Sequence, residues 1–351
     1  PPRSTLFPYT TLFRSKIPMV YKANVSYTHF FNERFRAGVA GYMTLGRNNY
    51  FYYDRNMVAN PYFTLDNEGG RGVFVPAATI AANGTLNWKD GRINKNFGRV
   101  LELVSDGKVN QFSFVLDTSY RYWKDGEITA SYTWADIKDN TSYNGNVANS
   151  ATLSTMVSGD PRNLRMTYSD NQFRNKVVIY GNSPTIAGFT LGVRYAGIGG
   201  TRFSVTAGGN VNGDFVDTND LAYIFPNLTQ TLIDNPEVGQ ALKNYITDYN
   251  NKVAERNGGK NGFYGVWDVR VAKKIKFEKI GAFELSVDIF NVANLLNKEW
   301  GVNKSYGNTA LYRITGFDQA TKQFKYSLNT SGLEPLSGNP YQIQIGAKYS
   351  F

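Results

Sequence analysis

The sequence lacks several residue types on which common enzyme and metal sites depend. It contains no cysteine, which excludes disulfides, thiolate metal sites and cysteine nucleophiles. Its single histidine, His29, lies in a predicted strand and leaves no basis for a Ser-His-Asp triad or for most zinc sites. No apolar run approaches the roughly 18 residues of a membrane-spanning helix. Carboxylates are spread evenly over strands and loops, so we expect neither an enzyme nor a bound cofactor.

Aromatic residues and glycine are abundant, whereas charge is scarce. Aromatics make up 15% of the chain, with 24 Tyr and 23 Phe, beside 34 Gly and only 19% charged residues. This mixture favours strands and turns and predicts an all-β fold. The net charge of +10 is scattered singly, and its densest group, Lys273, Lys274 and Lys276, lies beside a predicted turn. We therefore expect a solvated turn or lumen and no nucleic-acid partner.

The last eleven residues, 341–351, alternate between two faces of a predicted strand. One face is apolar and aromatic, and the other is polar or small. A tilted strand of about ten residues with aromatic ends can cross a bilayer. The alternative is an ordinary edge strand. The spacing of four residues resembles the carboxy-terminal signal by which Gram-negative outer-membrane barrels are recognised for assembly: Gln344, Gly346, Tyr349 and Phe351.

Four pairs of alternating segments, each joined by a short turn, predict β-hairpins. In each pair, large apolar side chains share one face and polar or charged side chains share the other, as with Phe114, Leu116 and Trp134 against Ser113 and Asp117. The predicted hairpins are 22–30 with 35–45, 111–123 with 127–135, 177–180 with 189–195, and 266–277 with 283–289.

The connections between these hairpins are long and polar, at 48–95, 140–171, 207–262 and 297–339. Short turns at one end and long loops at the other are typical of bacterial outer-membrane barrels. A soluble β-sandwich or propeller, the alternative, uses similar loops at both ends. With further strands predicted at 96–104 and near 71–80, we expect an antiparallel transmembrane β-barrel, present as a partial barrel of roughly ten to twelve strands. Another crossing expected between 54 and 96 has no clear position.

The first fifteen residues, 1–15, contain a near-repeat at 5–7 and 11–13 and resemble translated sequencing-adaptor DNA. We expect this segment to be non-native and 16–351 to form the barrel portion. The chain is then a carboxy-terminal fragment of a longer protein. A partial barrel leaves unpaired strand edges, so the chain expressed alone is predicted to aggregate.

Several segments carry a family resemblance. The most specific is 285–301, followed by 203–214, 219–224 and 255–259, with weaker support from 96–103 and 159–161. Together they make the chain, over roughly residues 20–351, similar to the carboxy-terminal third of an Oar-like TonB-dependent outer-membrane receptor of the Bacteroidetes type.

The resemblance implies a barrel of about twenty-two strands in the Gram-negative cell outer membrane, blocked by an amino-terminal plug that contacts TonB. The implied partners are outer-membrane lipid, the barrel-assembly machinery through the terminal strand, TonB through the plug, and an unknown small ligand. The plug is expected to be missing from this chain. The family offers no catalytic motif, so no residue role is transferred.

Three candidate sites are visible in the sequence. An oxygen-rich loop has early spacing like that of a calcium loop, but Phe215 and Leu221 stand where an EF-hand needs glycine and glutamate, so a plain polar loop is the preferred interpretation. After Asn235, apolar residues at helical spacing predict an amphipathic helix ending near Gly258, packed on neighbouring loops or serving as a lid. The third site is the polar lumen. The weak calcium-like loop comprises Asn210, Asn212, Asp214, Asp217 and Asp220.

The function that these features favour is TonB-dependent energised uptake of a ligand through a lumen beneath long binding loops. A structural or adhesive outer-membrane barrel without energised transport is the main alternative, and a soluble carbohydrate-binding protein or hydrolase is a third. The sequence does not indicate which ligand is bound, whether a siderophore, a peptide or a glycan. It also does not indicate the full number of strands.

Overall fold

The computed structural model describes residues 15–142, 148, 155–277, 281–329, 335, 338 and 340–351. Eighteen strands and three α-helices lie within these ranges. The helices are α1 Pro226–Asp234, α2 Gln240–Asp248 and α3 Val292–Leu296. The strands are β1 Met19–Phe30, β2 Phe35–Asp54, β3 Phe63–Leu65, β4 Arg71–Val73, β5 Leu101–Tyr122, β6 Gly126–Asp139, β7 Thr167–Tyr168, β8 Asn175–Asn182, β9 Phe189–Gly199, β10 Arg202–Phe203, β11 Val205–Thr206, β12 Gly259–Lys260, β13 Phe263–Phe277, β14 Gly281–Phe290, β15 Thr309–Ala310, β16 Tyr312–Asp318, β17 Gln323–Leu328 and β18 Gln342–Ser350.

One ten-stranded antiparallel sheet dominates the fold, in the order β1-β2-β5-β6-β8-β9-β13-β14-β18, with the short β7 paired to β6. Every long strand lies beside the next long strand of the chain, as in an up-and-down barrel. The predicted all-β antiparallel fold is confirmed, with a strand number at the lower end of the expected range. In the part of the chain that the structure describes, β1 and β18 each pair on one side only, so the sheet is open.

The four predicted hairpins are confirmed. β1 pairs with β2 around residues 31–34, β5 with β6 around 123–125, and β8 with β9 around 183–188. β13 pairs with β14 over Val269–Phe277, and their turn at 278–280 lies outside the described residues. Because the strands are antiparallel, all short turns lie at one end of the sheet and the long connections lie at the other.

The strand predicted at 96–104 is confirmed only over 101–104, and the one predicted near 71–80 is confirmed only over 71–73. Residues 96–100 are not in a strand, because β5 begins at Leu101 and runs unbroken for 22 residues beside the 20-residue β2. In the segment 71–80 only Arg71–Val73 is a strand, and it pairs with β3 in a separate two-stranded ribbon. Since β2 and β5 are direct neighbours, one connection at 55–100 suffices and no extra crossing is required.

The long pair β2 and β5 is interrupted by register shifts between Gly46 and Phe51. A Cβ atom on Gly107 would lie 2.6 Å from the Asn49 carbonyl oxygen, so only glycine allows this approach. Such a bulge bends and twists a strand locally. It lies where β2 and β5 extend toward the long connections.

The described parts of the four long connections, 55–100, 155–174, 200–262 and 291–329, fold together into what we call the loop cap. The cap has two hydrophobic cores. One gathers apolar residues of 203–254 with those of 306–312, and the other gathers residues of 65–80 with those of 207–211 and 317–324. The long connections therefore form a packed body rather than a set of independent loops.

The single amphipathic helix predicted after Asn235 is wrong in its bounds. The structure has two short helices, α1 and α2, and Asn235 lies between them, where its Oδ1 accepts a hydrogen bond from the Glu237 amide. α1 begins at Pro226, a residue favoured in the first helical turn. Packing of the apolar stripe on neighbouring loops is confirmed, because Leu242, Tyr245 and Ile246 are buried in the first core.

Candidate functional site

The outer face of the sheet is a continuous apolar surface. The strand register places apolar residues opposite one another, for example Val271 beside Val287 and Val287 beside Ile345. These side chains are exposed: 42% for Val271, 39% for Val287 and 80% for Ile345. Soluble monomers rarely expose apolar patches larger than a few hundred Å². This face extends over most of the strands, since the same exposure recurs at Val25, Phe112, Phe114, Leu116, Ile128, Trp134, Leu191, Trp267, Phe283, Leu285 and Ile343.

The opposite face of the sheet carries ion pairs between adjacent strands. Arg36 on β2 lies 2.6 Å from Asp117 on β5, and Arg194 on β9 lies 2.9 Å from Asp268 on β13. Arg270 bridges two carboxylates of β14, Asp288 at 3.0 Å and Glu284 at 3.3 Å. Solvent-accessible pairs of this kind contribute only about 0–1 kcal/mol each to stability. They line a wet surface, and their alternation with the apolar face gives the sheet two chemically distinct sides.

The terminal strand β18 divides the four residues of the predicted assembly signal between both faces. Gln344 lies opposite Asp288, and Gly346 lies opposite Ser286, whose Oγ would be 2.8 Å from a Cβ at Gly346. Tyr349 lies on the apolar face, with its ring centroid 5.8 Å from that of Phe283 and 6.3 Å from that of Phe351. The alternation predicted from the sequence is confirmed, and recognition of these residues by an assembly machine stays a prediction.

The oxygen atoms of the calcium-like loop are engaged within the protein. Asn210, Asn212 and Asp214 each accept a hydrogen bond from a backbone amide two or three residues ahead. One oxygen of Asp220 accepts from the amides of Val211 and Asn212, at 2.7 and 3.2 Å. Asp217 is exposed. No group of three or more potential acidic or imidazole ligands occurs in the described residues.

Asp220 belongs instead to a buried ion network that sequence analysis missed. Arg71 lies with its Nε 3.1 Å from Glu68 and its Nη1 3.8 Å from Asp220, and all three side chains are buried. Arg71 also donates to the Leu221 carbonyl, and the Tyr326 hydroxyl donates to Glu68 at 2.6 Å. Burial and the neighbouring Asp214 raise the pKa of Asp220 to about 8, against the opposing charge of Arg71. The network ties three connections of the loop cap together.

One opening within the loop cap has a volume of about 590 Å³. Its walls come from residues 68–72, 155–167 and 249–256, and they carry charges of both signs, including Asp160, Arg165 and Glu255. Arg256 in its wall is buried and donates to the Asp139 carboxylate at 2.7 Å, which fixes the wall to the end of β6. A cleft of this size and polarity can admit a small polar ligand.

None of the described helices is long and apolar enough to span a membrane.

The chain matches no known family model, and a search of curated proteins also returned no match. Solved structures similar to it include the outer membrane transporter YddB from Escherichia coli, with 12% identity over 96% of this chain and 33% of that chain and a TM-score of 0.44. The FrpB iron transporter from Neisseria meningitidis has 10% identity, coverage of 96% and 31%, and a TM-score of 0.44. The copper transporter OprC has 10% identity, coverage of 97% and 32%, and a TM-score of 0.42. This chain therefore spans about a third of the length of these structures.

Proposed function

We propose that this chain is the barrel portion of an outer-membrane receptor that takes up a ligand by TonB-dependent energised transport. In this proposal the parent protein resembles the Oar-like receptors of the Bacteroidetes type and carries a plug upstream of the residues present here. The chain acts as a receptor and is not an enzyme. Its partners are outer-membrane lipid, the assembly machinery at β18, TonB through the plug, and a small ligand.

The observation that carries the proposal is the two-sided sheet. Nine long strands share an outer face of exposed aliphatic and aromatic side chains and an inner face of ion pairs. A bilayer on one side and a water-filled lumen on the other satisfy both faces, since strands can cross lipid when their backbone groups are paired. The long connections at one end form a cap with a polar opening, where a ligand can bind.

The unbroken parent gene and its product test the proposal. We expect an upstream plug with a TonB-contacting segment, a product in the outer-membrane fraction, and different gel mobility before and after boiling. Cells that lack TonB should lose uptake of the ligand but retain its binding. A parent protein recovered from aqueous buffer without detergent would contradict the membrane assignment.

The second candidate function is a structural or adhesive outer-membrane barrel, which the packed loop cap also permits. The two functions differ in what lies upstream. A parent without a plug, or one whose ligand handling is unchanged in cells lacking TonB, would favour adhesion and refute energised transport.

A further inference from the structure

A partly exposed aromatic pair, formed by two residues that do not line the opening described above, lies on the loop cap. The rings of Trp88 and Phe215 come from two different connections and lie 5.1 Å apart at an angle of 42°. Trp88 begins a short 3-10 turn, in which the preceding Asn87 side chain accepts from the Lys89 amide. Phe215 is 37% exposed, although the loop residues on either side of it, Asp214 and Val216, are buried. The ring of Phe215 is therefore held at the surface by a loop that otherwise packs inward.

The backbone of Phe215 is strained. Its φ is +74°, a left-handed conformation that costs a bulky residue energy and that glycine adopts without strain. Arg99 stabilises this conformation by two contacts. It donates a hydrogen bond to the Phe215 carbonyl, and the Arg99 guanidinium lies 4.7 Å from the centroid of the Phe215 ring. Arg92 lies 5.4 Å from the same centroid and is fixed by its ion pair with Asp54. Strain of this kind is concentrated at ligand sites.

The two rings form part of the wall of a cleft of about 690 Å³. The remaining wall combines neutral polar residues, Asn83, Thr85, Asn210 and Thr218, with apolar Leu86, Val216 and Ile314, and its charged members are Arg99 and Asp217. The Oδ1 atoms of Asn83 and Asn210 accept backbone hydrogen bonds from Thr85 and Gly213, which leaves their amide nitrogens as donors available to a ligand. Asp217 is exposed at the same cleft and can accept hydrogen bonds.

We propose that this cleft binds a neutral saccharide. A sugar ring combines C–H faces, which stack on aromatic rings, with hydroxyls that bond to amides and carboxylates, and the cleft offers both sets of groups. A purely apolar ligand would cover the amide and carboxylate groups of the cleft without bonding to them. A polyanionic ligand would meet only one cationic side chain in this cleft, Arg99, and would be repelled by the carboxylate of Asp217. The inference rests on the proposed function, for which it names the class of ligand that the outer loops capture.

The test is binding of three neutral linear glucans, maltoheptaose, cellohexaose and laminarihexaose, to the full chain in micelles of lauryldimethylamine oxide, a detergent without a sugar head group. Isothermal titration measures affinity for the chain and for three variants. Phe215→Gly removes the ring and relieves the strained φ, so the loop keeps its backbone conformation. Trp88→Ala removes the second ring from a segment with ordinary backbone angles. Trp300→Ala is the matched control, because Trp300 is 55% exposed and lies outside the cleft.

We expect at least one glucan to bind, and each of Phe215→Gly and Trp88→Ala to weaken that binding by about fivefold or more, the loss typical of one aromatic contact. Trp300→Ala should bind like the unaltered chain. Limited trypsin digestion checks that the variants keep the loop cap. The proposal is overturned if no glucan binds at millimolar concentration, or if both ring variants retain full affinity. Because the titration needs neither a bilayer nor TonB, its failure is distinct from failure of membrane insertion or of TonB dependence, either of which would refute the proposed function.

Discussion

Leu116 provides a sharp test of the lipid-facing assignment, because its neighbour Val115 points to the opposite side of the same strand. Leu116 is 46% exposed on the apolar face, between Val39 of β2 and Tyr132 of β6. It lies about 20 Å along β5 from Tyr122 at the short turn, which corresponds to a depth of about 14 Å for a strand tilted by about 45°. That depth is close to the middle of a hydrocarbon core about 30 Å thick.

We therefore expect Leu116→Arg to lower the free energy of unfolding in lipid by about 2–4 kcal/mol, the cost of arginine near the midplane on the lipid face of a barrel. This corresponds to a change of about 30- to 700-fold in the folding equilibrium. Val115→Arg, whose strand partners are Ala40 and Thr133, introduces the same side chain into the polar face and should change the free energy by less than about 0.5 kcal/mol.

The assay is urea titration of the chain folded into phosphatidylcholine vesicles, followed by tryptophan fluorescence. A further variant, Leu116→Ala, separates loss of the leucine from the presence of charge. Equal destabilisation by Leu116→Arg and Val115→Arg would refute the assignment of the two faces. Greater destabilisation by Val115→Arg would show that the faces are reversed.

Three further predictions concern the loop cap and the sheet edges. Arg71→Ala leaves Glu68 buried without its cation and should destabilise the cap by about 3–5 kcal/mol in urea titration. Lys304→Ala, which breaks an exposed pair, should change the stability of the cap by less than about 0.5 kcal/mol. Burial raises the pKa of Asp220 to about 8, above its ordinary 3.8, so the contribution of Asp220 to stability is fully present below pH 4 and is lost as pH rises through 8. Asp220→Asn should flatten the resulting pH dependence of the melting temperature. An unchanged pH profile in this variant would contradict the prediction. In detergent-free buffer the chain should aggregate, because among the described strands β1 and β18 have one unpaired edge each, next to an apolar face. A monodisperse folded monomer in gel filtration would count against this.

The sheet could be predicted from the sequence because its signal is local. Alternation of apolar and polar residues fixes which face each strand presents, and short polar turns fix which segments pair. For β14 and β18 the alternation was sufficient to assign the faces, since Phe283 and Tyr349 both lie on the apolar face; their pairing across the two strands was not predicted. The strand predicted at 96–104 begins five residues too early, because the β2–β5 ladder ends at the pair Asp54 and Leu101.

The loop cap could not be predicted because its contacts join distant parts of the chain. Arg71 bonds to Leu221 across 150 positions, and Tyr326 bonds to Glu68 across 258 positions. No periodic pattern indicates such partners. The acidic spacing around Asp220 resembles that of a calcium loop, whereas in the structure this side chain accepts hydrogen bonds from backbone amides and faces Arg71. Helix α1 has a local sequence signal, with Pro226 at its start and Leu232 on its buried side.

The central claim, that one face of the sheet contacts lipid and the other contacts water, is tested most directly by site-specific fluorescence quenching. The chain has no cysteine, so Leu116→Cys and Val115→Cys each introduce a single labelling site. Each site is labelled with a thiol-reactive bimane, and the fluorescence of the label is measured in vesicles whose lipids carry bromine in their acyl chains. We predict strong quenching at 116 by brominated lipid and at 115 by aqueous iodide. Equal quenching by lipid at both positions, or iodide quenching at 116 alone, would contradict the account.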